Sequence, residues 1–329
     1  MSIVIETSGL TRDYKSYQKK EGIWSSIQGF WDRQHVVKKA LTDITLNIES
    51  GQIIGLVGSN GAGKTTLLKI LSGLITPSSG DAKVLGFRPW ERKSEYLKRI
   101  SILLGQKNQL WWDLSPLDSF SLLARIYDLD LKKARLRVQE LATMLRCEHV
   151  LDTQLRRLSL GERMKMELIG ALLHEPEILF LDEPTIGLDI VAQSTIREFL
   201  QKYVENKGPT VILTSHYMDD IAKLAHQLLL ISQGQIVYNG TVDQFTQKAE
   251  AKQLLKFRFT EALTREVTVG NEFILLPSEK EYSLKVSAQQ LPTLLNEITR
   301  LGTLQDLKIE ESDFEDVIRS FLETESRVF

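Results

Sequence analysis

A chain of 329 residues with 42% hydrophobic and 26% charged residues has the composition of a folded globular protein, and its length suggests two domains. Its 41 basic and 43 acidic residues leave a formal charge of −2, so no global basic excess points to nucleic acid. The lone Cys147 excludes an intrachain disulfide and fits a reducing cytoplasm, where it reads as a small buried hydrophobe. The opening "MSIVIETSGL" lacks the features of a signal peptide. No run approaches the roughly 18 apolar residues of a membrane-spanning helix, so any service to a membrane is expected from outside the bilayer.

Between Tyr14 and Val36, Ile23, Trp24, Ile27, Phe30 and Trp31 recur at helical spacing beside Lys19, Lys20 and Arg33. An amphipathic helix is expected there, resting on a membrane interface or a permease, or else packed on its own domain. Ile44, Leu46 and Ile48 then alternate as a half-buried strand, and "IIGLV" (53–57) reads as a fully buried one. "GSNGAGKTT" follows, Gly58, Ser59, Asn60, Gly61, Ala62, Gly63, Lys64, Thr65 and Thr66, before a helix through Leu67, Leu68, Ile70 and Leu71 that stops near Gly73. Residues 58–65 fit G-x-x-x-x-G-K-[ST] between a strand and a helix. In that context the backbone N–H groups cradle phosphates, Lys64 reaches the terminal phosphates and the Thr65 hydroxyl ligates Mg²⁺.

Residues 116–149 read as mostly helical, and another helix is expected from Ser159 to Leu173. The apolar strand "ILFLDEP" ends on Asp182 and Glu183. Asp182 is placed to hold Mg²⁺ against the phosphates, and Glu183 to orient or deprotonate the attacking water. A helix near 190–206 and the strand "TVILT" complete an alternation of helices and apolar strands, which predicts a parallel α/β sheet covered on both faces. In "RRLSLGERMKMEL", Ser159 precedes a helical pattern, and its hydroxyl with the N–H groups of Leu160 and Gly161 suits a second anion site or a plain helix cap. After about residue 245 the texture changes. "LLKFRFT", "YSLKVSA" and "TLQDLKIEE" alternate as antiparallel strands, with helices at 291–301 and 314–322. The acids Glu310, Glu311, Asp313, Glu315 and Asp316 there read as a solvated face.

Taken in order, these motifs resemble those of the ATP-binding-cassette (ABC) ATPases, over residues 1 to about 240. The "LSLGE" run at Ser159, Leu160, Gly161 and Glu162 is similar to that family's LSGGQ signature, with Leu160 replacing a glycine and Glu162 the glutamine. The resemblance implies that Gln106 in "LLGQKNQ" is the Q-loop residue that touches the metal, that "PTIGLD" to Asp189 is the D-loop, and that His216 in "TSHYMDD" is the switch histidine. It also implies that Tyr14 stacks on adenine. Thr185-Ile186-Gly187 precede Leu188-Asp189 where Ser-Ala is often found.

The resemblance further implies a fold and a mode of action. The fold is a P-loop NTPase cassette over residues 1–245, with a helical subdomain at about 110–170, an extra segment at about 15–36, and a small α+β accessory domain at 246–329. In this family the signature of one domain covers ATP on the phosphate loop of another, so a second copy or a paralogue is needed. The expected function is ATP hydrolysis powering a separately encoded permease, most simply an exporter, from the cytoplasmic face of the cell membrane. Trp111 and Trp112 in "NQLWWDLSP" suit a socket for that permease or core packing. A soluble ABC ATPase working on ribosomes or DNA is the alternative, weakened by the near-neutral charge and by the absence of a second cassette or a coiled-coil insertion. A nucleotide-gated regulatory module without turnover is a third reading, against which Glu183 argues.

Overall fold

The computed structural model describes residues 2–17, 35–105, 108–248, 253–264, 266–270, 273–276, 280–287, 289–311 and 314–325. Gln106 and the expected amphipathic helix, Ile23 to Trp31, lie outside these residues. The chain divides into two compact units, Met1–Gly240 and Thr241–Phe329.

The first unit begins with two long strands, β1 (Ile3–Tyr17) and β2 (His35–Glu49), followed by β3 (Ile53–Val57). Next come α1 (Lys64–Leu71), β4 (Ser79–Val84), the short α2 (Ser94–Leu97) and β5 (Ile100–Leu104). Three helices follow, α3 (Pro116–Ile126), α4 (Leu131–Met144) and α5 (Leu160–Leu172). The unit closes with β6 (Ile178–Asp182), α6 (Ile190–Lys207), β7 (Thr210–Thr214), α7 (Met218–Leu224), β8 (Gln227–Ser232) and β9 (Gln235–Thr241).

Every residue of β3, β6 and β7 is buried, as uniformly apolar strands require when a sheet is covered on both faces. Among the described residues the sheet order is β5-β6-β7-β3-β8-β9, and β5, β6, β7, β3 and β8 are mutually parallel. Leu104, Asp182 and Thr214 stand in register at one edge, so three strands deliver their C-terminal residues to the same place. Ligands of open α/β sheets bind at such an edge.

A second, antiparallel sheet has the order β2-β1-β4, and of its strands the sequence reading found only the 44–48 stretch of β2. Its apolar face, Ile5, Leu10, Leu41, Ile44 and Leu46, joins Ile54 and Leu56 of β3 and Leu67, Leu68 and Leu71 of α1 in one core. The helices of the 116–172 region are explicitly capped. The Ser115 hydroxyl accepts from the Asp118 N–H with Pro116 opening α3, and Asp130 accepts from the Lys132 and Lys133 N–H groups at α4.

The second unit carries α8 (Val242–Lys248), β10 (Gln253–Phe259), the hairpin of β11 (Val267–Val269) and β12 (Phe273–Leu275), and β13 (Glu281–Val286). It ends with α9 (Leu291–Leu301), β14 (Leu304–Glu311) and α10 (Phe314–Glu325). The sheet β13-β10-β14 is antiparallel, and Leu255, Phe257, Tyr282 and Leu284 pack with Leu294 and Ile298 of α9.

The turn between β3 and α1 is the tightest approach in the first unit. A Cβ on Gly58 would lie 2.2 Å from the Ile231 carbonyl oxygen, whereas one on Gly61 would meet no atom within 4 Å. Gly58→Ala is therefore expected to lower the thermal midpoint more than Gly61→Ala, whose cost is the left-handed backbone alone, about 1–2 kcal/mol. Equal losses for the two variants, read by calorimetry, would contradict this packing.

Candidate functional site

At the start of α1, Gly63 occupies the N-cap position with φ 115°, and the first helical amides have no intrahelical acceptor. Several of the loop's carbonyls already have donors. Lys64 Nζ donates to the Gly58 and Ser59 carbonyls at 2.7 and 3.2 Å, and the Ala62 carbonyl accepts from the Gly234 N–H at 2.9 Å. With those oxygens engaged, the turn offers its N–H groups, an arrangement that suits an anion. Burial holds the Lys64 ammonium below the usual lysine range, against the opposing pull of Glu183 and Asp182.

Those two acids end β6. Asp182 is buried, and each carboxylate oxygen accepts from a hydroxyl: Oδ2 from Thr65 at 2.9 Å and Oδ1 from Thr214 at 2.7 Å. The sequence reading paired Thr65 with Asp182 but missed Thr214. The only local signal is a polar residue closing the apolar strand β7. Glu183 has φ 56°, a left-handed conformation costly for a residue with a Cβ, and its N–H is held by the Thr214 carbonyl and hydroxyl. That conformation turns its side chain to His216, with Oε1 3.0 Å from Nε2.

Tyr14, Lys38, Asn60, Lys64, Thr66 and Glu183 line one open cavity of about 290 Å³. Lys38, which stands opposite Tyr14 in the β1–β2 register, was not singled out from sequence. The Arg12 guanidinium lies 4.8 Å from the Tyr14 ring centroid, over one face of the ring.

Ser159, Leu160, Gly161, Glu162 and Asp189 are not among the residues lining that cavity; they form a separate group. Ser159 caps α5 in a reciprocal box: its hydroxyl accepts from the Glu162 N–H, while Glu162 Oε2 accepts from the Ser159 N–H at 2.9 Å. The spacing S-x-x-E made this box readable in the sequence, where Glu162 was noticed only as a replacement. The Ser159 hydroxyl and backbone hold the Glu162 carboxyl below its usual range. Asp189 caps α6 by accepting from the Ala192 N–H at 2.9 Å. A Cβ on Gly161 would sit 3.0 Å from Ala192 Cβ, and one on Gly187 would sit 3.3 Å from Leu160 Cδ2, so signature and D-loop pack together within the chain.

Trp111 and Trp112 are exposed, at 40% and 43%, so packing in the core is not their arrangement. The Arg163 guanidinium lies 5.0 Å from the Trp112 ring, and the loop behind them is held by the buried Glu167 carboxylate, which accepts from the Gln109 and Leu110 N–H groups.

The model of the family described as ABC transporter matches residues 41–186. The chain is 31% identical over 239 residues to the ABC transporter ATP-binding protein NatA of Bacillus subtilis, covering 73% of this chain and 96% of that protein. It is 34% identical over 220 residues to the daunorubicin resistance ATP-binding protein DrrA3 of Streptomyces coeruleorubidus, covering 67% and 68% respectively. Among solved structures it is similar to cbiO1 of Clostridium perfringens, part of the ABC transporter complex cbiONQ, with TM-score 0.60, 26% identity, and coverage of 75% of this chain and 92% of that one.

The capping box yields a stability prediction with a defined pH sense. Ser159→Ala removes one helix cap and is expected to cost roughly 0.5–2 kcal/mol in urea unfolding near neutral pH. Because the folded Glu162 pKa is depressed, the box contributes fully above the ordinary glutamate value of 4.5 and is lost as pH falls through the lower folded value. The deficit of Ser159→Ala should shrink in acid; a deficit independent of pH would count against the box.

Proposed function

The chain belongs to the ABC transporter family of ATP-binding proteins, and from that premise we propose how its own residues carry out the work. It is an ATPase, the subunit that binds and hydrolyses ATP for a transporter whose membrane permease is a separate protein. The observation that carries the reading of the site is the single cavity shared by Tyr14, the Gly58–Thr66 turn and Glu183, which holds an aromatic face, an anion receptor and a carboxylate base together.

In this reading Tyr14 stacks on the adenine, and the N–H groups of the turn bind the phosphates. Lys64 exchanges its bonds to the Gly58 and Ser59 carbonyls for phosphate oxygens. Glu183 accepts the proton of the attacking water, and His216, 3.0 Å from it, steadies the carboxylate and the developing phosphate charge. Thr65 and Asp182 fit a small divalent cation. They are hard oxygen donors within hydrogen-bonding distance of each other, 2.9 Å, the ligand chemistry such a cation takes. Magnesium bound there would neutralise phosphate charge. Gln106 is assigned beside it on the family motif alone.

The signature group, Ser159 to Glu162 with Asp189, stands apart from this cavity, which supports its use on the nucleotide of a second copy or a paralogue. Trp111 and Trp112 form part of the permease socket, since exposed aromatics held on an anchored loop are the usual anchors of an interface. Among the described residues no helix is long and apolar enough to cross a membrane, which supports peripheral attachment at the cytoplasmic face through the permease. Export is the favoured direction, supported by a relative named as a Nod factor export ATP-binding protein. The 241–329 unit serves as an accessory domain for regulation or dimer support.

Three experiments test this. Lys64→Ala is expected to abolish tight ATP binding by calorimetry, while Glu183→Gln keeps ATP, slows turnover by about 10²-fold or more and accumulates a dimer on gel filtration. Unchanged turnover in Glu183→Gln would place the base elsewhere. Replacing Trp111 and Trp112 together by Ala should leave ATP binding intact but weaken recovery with the permease from detergent-solubilised membranes; loss of folding would show that the two rings are needed for the fold instead.

A further inference from the structure

One buried carboxylate that no motif assigns, and that gathers side chains from three separate segments, belongs to Asp220, in the first turn of α7. Asp220 is 1% exposed. Its Oδ2 accepts from the Thr185 hydroxyl at 2.6 Å and from the Ser215 hydroxyl at 3.0 Å, and its Oδ1 accepts from Arg197 Nη1 at 2.7 Å. These donors come from three different segments. Thr185 lies two residues after Glu183 on the way into the D-loop, Ser215 immediately precedes His216, and Arg197 is on α6.

We propose that Asp220 is a positioning residue for ATP hydrolysis: its carboxylate fastens the D-loop end of the Glu183 segment to the His216 segment and so sets the Glu183–His216 contact. The proposal rests on the reading of that pair as the hydrolytic one. Glu183 is held on its other side by Thr214, whose hydroxyl bonds both Asp182 and the Glu183 N–H. The strained backbone of Glu183, at φ 56°, thus lies between two fixed points, Thr214 and the Thr185–Asp220 bond. His216 is held in the same manner. The Ser215 hydroxyl that donates to Asp220 also accepts from the Tyr217 N–H at 3.0 Å, and the Tyr217 carbonyl accepts from the Asp220 N–H. A left-handed residue persists only where its surroundings over-determine it, and the two hydroxyl contacts supply that determination.

The chemistry calls for a carboxylate. All three side-chain partners approach Asp220 as donors, and an acid that only accepts can satisfy them together, whereas an amide would turn an NH₂ towards at least one of them. The Arg197 contact alone would serve to join α6 to α7, and it explains the burial of the charge. It does not explain the two hydroxyls, which come from the residues flanking the hydrolytic pair. Small displacements of such groups have large effects on rate because catalysis depends on the reacting atoms being held in place.

The test therefore removes the hydroxyls and keeps the ion pair. Thr185→Val and Ser215→Ala are each expected to lower kcat for ATP hydrolysis roughly tenfold, with ATP affinity and melting temperature close to the parent. Their double variant should lose less than the product of the two, because both act through one carboxylate. Thr185→Ser should recover most of the rate lost in Thr185→Val. Arg197→Met, by contrast, should lower the melting temperature more than the hydroxyl variants do. If Thr185→Val does not fold, Ser215→Ala decides, since it adds no volume. Parental kcat in the hydroxyl variants, or a fall in kcat matched by loss of ATP affinity or stability, overturns the proposal. The two readings fail separately: parental turnover in Glu183→Gln removes the hydrolytic assignment, whereas an inactive Glu183→Gln beside fully active hydroxyl variants removes only the role of Asp220.

Discussion

The first unit is organised around a turn that must have almost no side chains. Gly58 is pressed against the Ile231 carbonyl at the end of β8, and a Cβ on Gly63 would lie 2.5 Å from the Ala40 carbonyl of β2. The turn is thus enclosed between the parallel sheet and the antiparallel one, and both must be in place for it to hold its shape. The β8–β9 turn ties them: the Gly234 N–H donates to Ala62, and its carbonyl accepts from the Thr42 N–H. This explains why a cassette built on a parallel sheet also carries the long β1–β2 ribbon. The ribbon forms one wall of the turn, brings Tyr14 and Lys38 to the cavity and contributes Ile5, Leu10, Leu41, Ile44, Leu46 and Ile48 to the core beneath it.

Charge at the site is nearly balanced before any ligand arrives. Lys64 is buried, and the cost of keeping an ammonium there is offset by Asp182 and Glu183, the two carboxylates at the end of β6. Two of its three N–H donors are already engaged by the Gly58 and Ser59 carbonyls. Binding of phosphate is therefore an exchange of partners, and its net gain is smaller than a list of new contacts would suggest. Such a site favours ligands that satisfy the displaced cation and the exposed amides at once, which polyphosphate does and a single anion does less well.

Much of this was legible in the sequence because it depends on local pattern. The strands 53–57, 178–182 and 210–214 are uniformly apolar, and the structure buries every one of their residues. The long antiparallel ribbon was legible only at Ile44, Leu46 and Ile48 of β2, and its register shows why the rest was not. Shifts between Ile3 and Ile5, Thr7 and Leu10, Leu10 and Arg12, and Arg12 and Asp13 break the two-residue alternation by which a strand is recognised. Within the site, Tyr14, Asn60, Lys64, Thr66 and Glu183, all named from motifs, line the cavity. The ones that hold them, Thr214, Asp220 and Arg197, come from elements distant in sequence and obey no local spacing. The left-handed backbone of Glu183 was equally hidden, since nothing in a Glu-Pro pair announces it.

One departure in the family signature and one in the D-loop account for each other when the chain is folded. Leu160 puts a branched side chain where the signature has glycine, and the residue it meets is Gly187, where an added Cβ would lie 3.3 Å from the leucine. The bulk gained in one loop is accommodated by the bulk missing from the other. Glu162 uses one carboxylate oxygen to complete the cap on Ser159, while the other lies 3.5 Å from His149 Nε2. The helix start is consequently self-satisfied, as Lys64 is in its own loop. In the proposed sandwich both halves of the composite site would exchange internal bonds for bonds to nucleotide. Neither half gains much from a weak ligand, and closure is reserved for one that engages the turn of one copy and the signature of the other together.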